Sequence, residues 1–319
     1  MIVGDTKIYL DPKNAKGLSF ISHAHSDHAP RRFSGRIIYT DGTKRLLRNS
    51  YNTTDEGYNF DDDFDIDGLK FRLVSSGHIL GSSQIMIEDG FTLTYTGDLD
   101  VEGGTTTGRA PIPRCDILII ESTFGSPYYH FPKKSEVVKE MKDWIDECFG
   151  KGITPILMGY SLGKAQDLTK IFSKEFNVVV HDSIYDFNKR YEELGVGLGG
   201  YHNYGEFDGG EDFLLIAPPR AMNNKAVENL DGYSKALASG WAIHEGVKYR
   251  YGVDEAFPLS NHSDFDSLVK YVERADPQVV YTVHGFIEEF SNELRSMGFY
   301  SQPLIKRHKH LQESLDGYM

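Results

Sequence analysis

The sequence predicts an α/β protein, and three stretches of the chain carry that prediction. The first 127 residues contain short runs rich in β-branched and aromatic residues, a pattern typical of strands. From Lys133 the pattern changes to helices that alternate with strands, as in an α/β layer. After Gly246 the β-rich character returns. We therefore expect a mixed architecture with β-rich ends.

The strands predicted in the first part are short, and two of them lead into a carboxylate. The run Phe91–Thr96 alternates apolar residues with threonine, as in a strand with one buried face, and Asp98 follows it. The next run, Ile117–Ile120, is wholly apolar and is followed by Glu121. The predicted strands are Ile8–Leu10, Leu18–Ile21, Arg36–Tyr39, Lys70–Val74, Gln84–Glu88, Phe91–Tyr95 and Ile117–Ile120.

An acidic stretch, Asp61–Asp67, interrupts these strands. It resembles a calcium loop in its carboxylates, but the glycine and the terminal glutamate of such a loop do not fit its spacing. We interpret it as a solvated turn.

The middle and last parts alternate between element types. The sequence predicts helices over Ser135–Cys148 and Leu162–Phe172, and a Gly-rich loop over 195–210. The last predicted strand, Val279–Val283, leads into His284. Strands are also predicted over Thr154–Met158, Asn177–Val180 and Phe213–Ala217.

Charge and hydropathy exclude some classes of protein. With 34 basic and 47 acidic residues, the net charge of −13 argues against a protein that grips long duplexes by neutralising phosphates. A nuclease is not excluded, because divalent ions can carry the positive charge of its site. No window approaches the roughly 20 apolar residues of a membrane span, and no basic region precedes an apolar stretch at Met1–Asp5. We expect a soluble, cytoplasmic protein without membrane contact.

The segment His23-Ala24-His25-Ser26-Asp27-His28 has the composition of a metal site. It supplies three imidazoles and a carboxylate within six residues. Residues i and i+2 of an extended segment project to one side, so His23, His25 and Asp27 can face one cavity. The alternative is a polar surface loop that happens to be rich in histidine.

Later residues complete a ligand set for two ions. His78 follows Gly77 and Asp98 follows Gly97, and a glycine lets the backbone approach an ion closely. One ion would be held by His23, His25 and His78, and the other by Asp27, His28 and His284. Asp98 would bridge the two ions and leave positions for a water.

These residues resemble the metallo-β-lactamase superfamily, specifically its β-CASP nuclease branch. Three segments in the middle of the chain look most like DNA-ligase-associated exonucleases, and they also resemble archaeal mRNA 3′-end processing factors. These segments, called the cap blocks below, are Gly159–Gln166, Ala217–Pro219 and Ser239–Trp241. The matching segments span essentially the whole chain: His23–His28, Gly77–Ser82, Thr96–Asp98, Ile120–Gly125, Gly163–Gln166, Ser260–Asp264 and Val283–Gly285.

The resemblance implies a fold and a division into domains. It implies a four-layer αββα sandwich built from residues 1–127 and 248–319, with residues 128–247 inserted as an α/β cap of the β-CASP type. Substrate would enter between the two. Glu121, His262 and His284 match the branch-specific motifs, and crosslink-repair relatives tend to have valine where this chain has His284.

The expected reaction is phosphodiester hydrolysis by a water activated between two divalent cations, Zn²⁺ or alternatively Mn²⁺. Asp98 would hold the cation pair, and Asp27 would act both as ligand and in catalysis. His262, oriented by Glu121, would give a proton to the departing sugar oxygen or bind the scissile phosphate. The alternative for His262 is a capping role at the helix that follows it.

The expected substrate is nucleic acid, either single strands or strand ends, with DNA exonuclease activity preferred. RNA endo- or exonuclease activity in 3′-end processing or turnover is the first alternative. A small-ester or thioester hydrolase and a catalytically silent scaffold are the others. The sequence leaves the oligomeric state open.

Overall fold

The computed structural model of the chain describes residues 1–48, 57–209, 212–219, 221, 230 and 232–304. Contacts between Cα atoms divide the chain into two compact units. The first unit contains Met1–Gly103, Arg109–Tyr129 and the chain from His262, and the second contains Gly104–Gly108 and His130–Asn261. The expected first domain also includes residues 49–56 and 305–319, which lie outside the described residues.

The strands are short and most of them lie in the first unit. In chain order they are β1 (Ile2–Val3), β2 (Thr6–Leu10), β3 (Asn14–Lys16), β4 (Leu18–Phe20), β5 (Arg32–Ser34), β6 (Ile37–Ile38), β7 (Asp63–Ile66), β8 (Leu69–Ser75), β9 (Ser83–Glu88), β10 (Thr92–Tyr95), β11 (Ile117–Ser122), β12 (Thr154–Met158), β13 (Val178–Val180), β14 (His202–Asn203), β15 (Leu214–Ala217), β16 (Tyr233–Ala238), β17 (Glu255–Phe257), β18 (Val279–Gly285) and β19 (Ser301–Pro303).

The helices alternate with strands mainly in the second unit. In chain order they are α1 (Asp41–Leu46), α2 (Lys134–Gly150), α3 (Lys164–Phe172), α4 (Asp182–Glu193), α5 (Val247–Tyr251), α6 (Phe265–Ala275) and α7 (Ile287–Ser296), with short 3₁₀ turns at Tyr204–Glu206 and Gly240–Ile243. No helix in the described part of the chain has the length and apolar character needed to cross a membrane.

Two sheets pack face to face in the first unit. One has the strand order β1-β2-β4-β6, and the other has the order β19-β18-β11-β10-β9-β8-β7. Their facing side chains form one apolar cluster, in which Phe20 and Ile38 from the first sheet join Leu73, Ile85 and Ile119 from the second. Burial of these side chains is the main force that holds the two sheets together.

Helices α6 and α7 cover the other face of the seven-stranded sheet. Leu268 and Tyr271 of α6 and Leu294 of α7 pack against Leu118 and Ile120 of β11. Because Ile119 faces the sheet-to-sheet core while its two neighbours face the helices, β11 is buried on both sides. This explains its wholly apolar sequence.

The second unit contains a parallel six-stranded sheet in the order β14-β13-β15-β12-β16-β17. Its last strand lies beyond residue 248, where the first domain is expected to resume. Strand β17 pairs with β16 along Ala236–Ala238, so residues 248–261 belong to the second unit. The backbone pairing of β17 is made inside this sheet, and the second unit ends at Asn261.

The acidic stretch Asp61–Asp67 is not a turn throughout, because Asp63–Ile66 forms strand β7. This strand pairs with β8, and Asp63 faces two basic residues across the pair. Its carboxylate lies 2.6 Å from Arg72 Nε and 3.1 Å from Lys70 Nζ. The two cations lower the pKa of Asp63 to about 2. Cross-strand ion pairs therefore let an acidic run form an edge strand.

Candidate metal centre

Four of the nine predicted site residues lie at one edge of the seven-stranded sheet. Strands β10, β11 and β18 are parallel, and β8 runs in the same direction because β9 is antiparallel to both β8 and β10. The carboxyl ends of these strands therefore meet at a common edge. His78, Asp98, Glu121 and His284 lie at or just beyond those ends.

The histidine-rich segment reaches the same place from the other sheet. It follows β4, and Ser22 immediately precedes His23. The turn that carries Asp98 approaches Ser22 so closely that a Cβ on Gly97 would lie 2.5 Å from the Ser22 Cβ. Gly97 also has a φ of +55°, which disfavours other residues. Glycine is required here for both reasons.

Four predicted ligands converge on one point. His25 Nδ1 lies 3.0 Å from His23 Nε2 and 3.1 Å from His78 Nε2. Asp98 Oδ2 lies 3.5 Å from His23 Nε2 and 3.7 Å from His78 Nε2. A tetrahedral zinc ion with bonds of about 2.0 Å separates its ligand atoms by about 3.3 Å, so these four atoms fit such an ion.

The hydrogen bonds of His23 fix its protonation in the form that a metal requires. The Ser22 hydroxyl donates its one hydrogen to Asp11 Oδ2 at 2.6 Å. The Ser22 Oγ atom must therefore accept the hydrogen bond that joins it to His23 Nδ1 at 2.9 Å. Nδ1 therefore carries the proton, and Nε2 presents a lone pair. Burial and the neighbouring imidazoles lower the pKa of His23 well below its usual value, which keeps the ring neutral.

Asp11 organises the site, and sequence reasoning missed it. Its carboxylate accepts from Ser22 N at 2.7 Å, from His28 Nδ1 at 2.8 Å and from the Tyr95 hydroxyl at 2.8 Å, besides Ser22 Oγ. Burial opposes its charge, but His28 and the other donors hold the pKa of Asp11 below its usual value. Asp11 directly follows β2, so the pattern of acidic residues at strand ends could have identified it.

The residues expected to hold a second ion are less closely gathered. His28 Nε2 lies 3.3 Å from Asp98 Oδ1 and 3.9 Å from Asp27 Oδ2, and its ring centroid is 4.9 Å from that of His284. The Asp27 side chain is 79% exposed, and His284 is also exposed. Burial opposes the charge of His28, but Asp98 and Asp11 outweigh it and raise its pKa to about 10.

His284 is held in an unusual backbone conformation. Its φ is +58°, in the left-handed region that few residues other than glycine adopt. The Ser122 hydroxyl donates to the carbonyl oxygen of Val283 at 3.0 Å and also contacts that of His284. The end of β11 therefore fixes the turn that carries His284, and its Nε2 lies 3.5 Å from the Tyr95 hydroxyl.

His262, which is half-buried, pairs with the fully buried Glu121 beside the convergent ligands. His262 Nδ1 lies 3.0 Å from Glu121 Oε1, and its ring centroid is 4.4 Å from that of His78. Glu121 also accepts from Leu99 N at 2.6 Å and from Thr123 N at 3.2 Å, so its orientation is fixed. Burial opposes both charges, but the attraction and the hydrogen bond between the two side chains outweigh it. The pKa of Glu121 is therefore lowered, and the pKa of His262 is raised to about 9. The contact orients Nε2 of His262 away from the carboxylate.

Comparison with known proteins gives both DNA- and RNA-related names. No family model matches the chain. A protein from Opitutus terrae named "Probable DNA ligase" is 33% identical over 298 residues, which cover 91% of this chain and 29% of that protein. "Endoribonuclease YSH1" of Eremothecium gossypii is 30% identical over 196 residues, or 48% of this chain and 25% of that protein. The chain thus spans less than a third of the length of either relative.

The fold also has a counterpart among solved structures. The crystal structure of a protein of unknown function from Enterococcus faecalis matches with a TM-score of 0.63 and 16% identity, over 92% of this chain and 80% of the other. At this identity the match concerns the fold alone. The sequence motifs, the convergent ligands at the sheet edge and these relatives together confirm the resemblance to the β-CASP branch of the metallo-β-lactamase superfamily.

Proposed function

We propose that the chain is a metal-dependent phosphodiesterase that hydrolyses nucleic acid and acts as an exonuclease on DNA. One observation carries the proposal: the ligand atoms of His23, His25, His78 and Asp98 all lie within 4.8 Å of one another, beside the His262–Glu121 pair. A metal centre and an acid group oriented by a carboxylate are the parts that this reaction needs.

Two sets of side chains would each hold one metal ion. Two divalent ions, when bound, would lower the pKa of a water enough to supply hydroxide near neutral pH. His23, His25 and His78 would hold the first ion, and Asp27, His28 and His284 the second. Asp98 would face both ions, because its Oδ2 lies near His23 and its Oδ1 lies near His28.

His262 supplies the proton in this proposal. Glu121 favours the protonated ring, which would donate from Nε2 to the sugar oxygen that leaves. Such a group contributes about 10²- to 10⁴-fold to the rate of a reaction that it assists. We also propose that the first unit is the αββα sandwich of the superfamily and that the second unit is its β-CASP cap.

RNA cleavage is the second candidate. The relative named as an endoribonuclease supports it, while the relative that covers 91% of this chain carries a DNA ligase name. We prefer DNA because of this longer match and the cap blocks Gly159–Gln166 and Ser239–Trp241. Imidazole and carboxylate ligands suit Zn²⁺ and Mn²⁺ alike, and we propose zinc first.

The test is digestion of matched single-stranded DNA and RNA, labelled at the 5′ or the 3′ end, with Zn²⁺ or Mn²⁺ added. We expect stepwise shortening of DNA from one end. His262→Ala should lower the rate at least about 100-fold while the bound metal stays unchanged. His202→Ala, at an exposed histidine of β14, is the matched control and should cut as the wild type does. Cleavage of a thioester but of no nucleic acid would contradict the proposal.

A further inference from the structure

A line of aromatic rings leads away from His262 within the first unit. The Phe124 ring centroid lies 5.9 Å from that of His262 and 4.9 Å from that of Tyr129. Tyr129 in turn lies 5.3 Å from Phe286 and 5.4 Å from Tyr128. We call these four residues, Phe124, Tyr128, Tyr129 and Phe286, the aromatic wall. It extends from the candidate acid group to the surface.

The exposure of these rings changes sharply along the wall. Phe124 and Tyr129 are each 2% exposed, so they form its buried base. Tyr128 is 57% exposed and meets the Tyr129 ring edge to face, at 82°. A large aromatic side chain supported from beneath by buried rings offers an accessible face to a flat ligand.

The backbone that carries Tyr128 is held firmly in place. Tyr128 N donates to Ser126 Oγ at 3.3 Å, and this hydroxyl donates to Glu289 Oε1 at 2.7 Å. Tyr129 N donates to Ser126 O at 3.0 Å, and Tyr129 O accepts from Phe265 N at 3.1 Å. The loop is therefore ordered before any ligand arrives, which lowers the entropic cost of binding.

Close packing also fixes the start of the same loop. A Cβ on Gly125 would lie 2.7 Å from the Phe290 Cβ and 2.8 Å from the Ser122 Cβ. Phe286 N donates to Ser122 O at 2.8 Å, which ties the Phe286 end of the wall to β11. The wall is thus connected to the strand end that carries Glu121.

We propose that Tyr128 stacks on a nucleobase of a single-stranded substrate whose scissile phosphate lies at His262. This inference rests on the proposed nuclease function and adds the part of the substrate that is recognised. A paired duplex hides its base faces, so the wall selects unpaired nucleotides. Stacking tolerates any sequence because every base has a flat π face.

The charge of the chain favours a nucleobase, rather than a phosphate, as the group that gives a strand its affinity. The chain carries a net charge of −13, so phosphate contacts alone give it little attraction for a strand. Stacking adds affinity without positive charge. Loss of one such contact lowers affinity about 5- to 150-fold.

The experiment combines variants of Tyr128 with strands that lack one base. Initial rates of the metal-loaded full chain are measured on a series of oligothymidylates. Each strand has one abasic site, which lies one nucleotide further along than in the strand before it. For the wild type, kcat/KM should fall about 5- to 150-fold at one position. Tyr128→Ala should show the same fall on the intact strand and no further fall at that position. Tyr128→Phe should behave as the wild type.

A binding measurement separates this inference from the proposed function. The same strands carry the fluorescent base 2-aminopurine at the sensitive position, and stacking on an aromatic ring quenches its fluorescence. If no strand is cut, 2-aminopurine is placed at each position in turn. Tyr300→Ala is the matched control, since Tyr300 is 50% exposed in the same unit. Quenching by the wild type and the control but not by Tyr128→Ala supports stacking even if no strand is cut. Equal quenching by Tyr128→Ala, or none by the wild type, overturns it.

Discussion

The Asp11 carboxylate accepts a hydrogen bond from Nδ1 of His28 at 2.8 Å. Through Ser22 the same carboxylate also sets the proton position on His23. One buried acid outside the histidine motif therefore directs Nε2 of two imidazoles toward Asp98. The geometry of the proposed metal centre depends on these contacts as well as on the candidate ligands themselves.

Replacement of Asp11 should weaken metal binding. Asp11→Asn suits the test because asparagine tolerates the φ of +41° at this position. The amide cannot accept as many hydrogen bonds, so His23 and His28 lose their fixed orientation. We expect zinc affinity to fall about 10- to 100-fold, as measured by titration against a competing chelator. An affinity equal to that of the wild type would show that Asp11 has no such role, and Asp67→Asn, also at a positive φ, is the control.

The two ions should differ in how tightly they are held. His23 is fully buried and His78 is 2% exposed, whereas the Asp27 side chain is 79% exposed. After dialysis against a chelator, we expect about one zinc ion per chain to remain in the wild type and in Asp27→Ala. His23→Ala should retain none under the same conditions. Loss of both ions from Asp27→Ala would contradict this asymmetry, and elemental analysis provides the measurement.

The His262–Glu121 pair should stabilise the fold within a defined pH range. The pKa of His262 is raised to about 9, so its contribution is full below about 6.5 and is lost as the pH rises toward 9. The pKa of Glu121 is lowered, so its contribution is present above about 4.3 and is lost in more acidic solution. The pair should therefore stabilise most between about pH 4.5 and 6.5.

Glu121→Gln provides the measurement for this pair. In the metal-free protein, its free energy of unfolding should be about 3–5 kcal/mol lower than that of the wild type near pH 6. The difference should shrink as the pH approaches 9. Asp63→Asn, which removes an exposed ion pair, should stay near the wild type throughout. A difference for Glu121→Gln that does not change with pH would argue against an ionic pair.

Asp167 should be a stability determinant of the second unit. This residue of α3 is 5% exposed, and its Oδ1 accepts from Thr106 N at 2.9 Å and from the hydroxyls of Thr105 and Thr106 at 2.8 Å each. Its Oδ2 accepts from Asn261 Nδ2 at 2.6 Å. Asp167→Ala leaves the buried donors of Thr106 and Asn261 without this acceptor and should cost about 3 kcal/mol in urea unfolding. Thr105→Val removes one donor and should cost about 1 kcal/mol; equal values would contradict the account.

Local patterns in the sequence predicted the candidate ligands that the structure brings together, but not Asp11, which contacts His28. His78 and Asp98 each follow a glycine with positive φ, and that pattern is visible in the sequence. Asp11 follows no glycine, and only its position after a strand could have pointed to it. Its contacts with Ser22 and His28 depend on the pairing of β2 with β4, and its contact with Tyr95 depends on the packing of the two sheets. The ligand motif is a local feature, whereas the contacts of Asp11 are a tertiary one.

Two differences between the expected and the observed fold have the same origin. The sequence predicts β-rich character after Gly246, but it does not say which sheet the strand at Glu255–Phe257 joins. Pairing with β16 decides this, and β16 lies about 20 residues earlier in the chain. Likewise, Asp63 looks like part of a solvated turn until Lys70 and Arg72 face it across β8. In both cases the missing information is the identity of the neighbouring strand.

The most direct test of the central claim is zinc K-edge X-ray absorption on the chain loaded with one equivalent of zinc. The account predicts about three imidazole ligands with a carboxylate oxygen, at bond lengths of about 2.0–2.1 Å. His78→Ala should remove one imidazole from that spectrum. A spectrum of oxygen ligands alone, unchanged in His78→Ala, would show that His23, His25 and His78 do not form a metal centre.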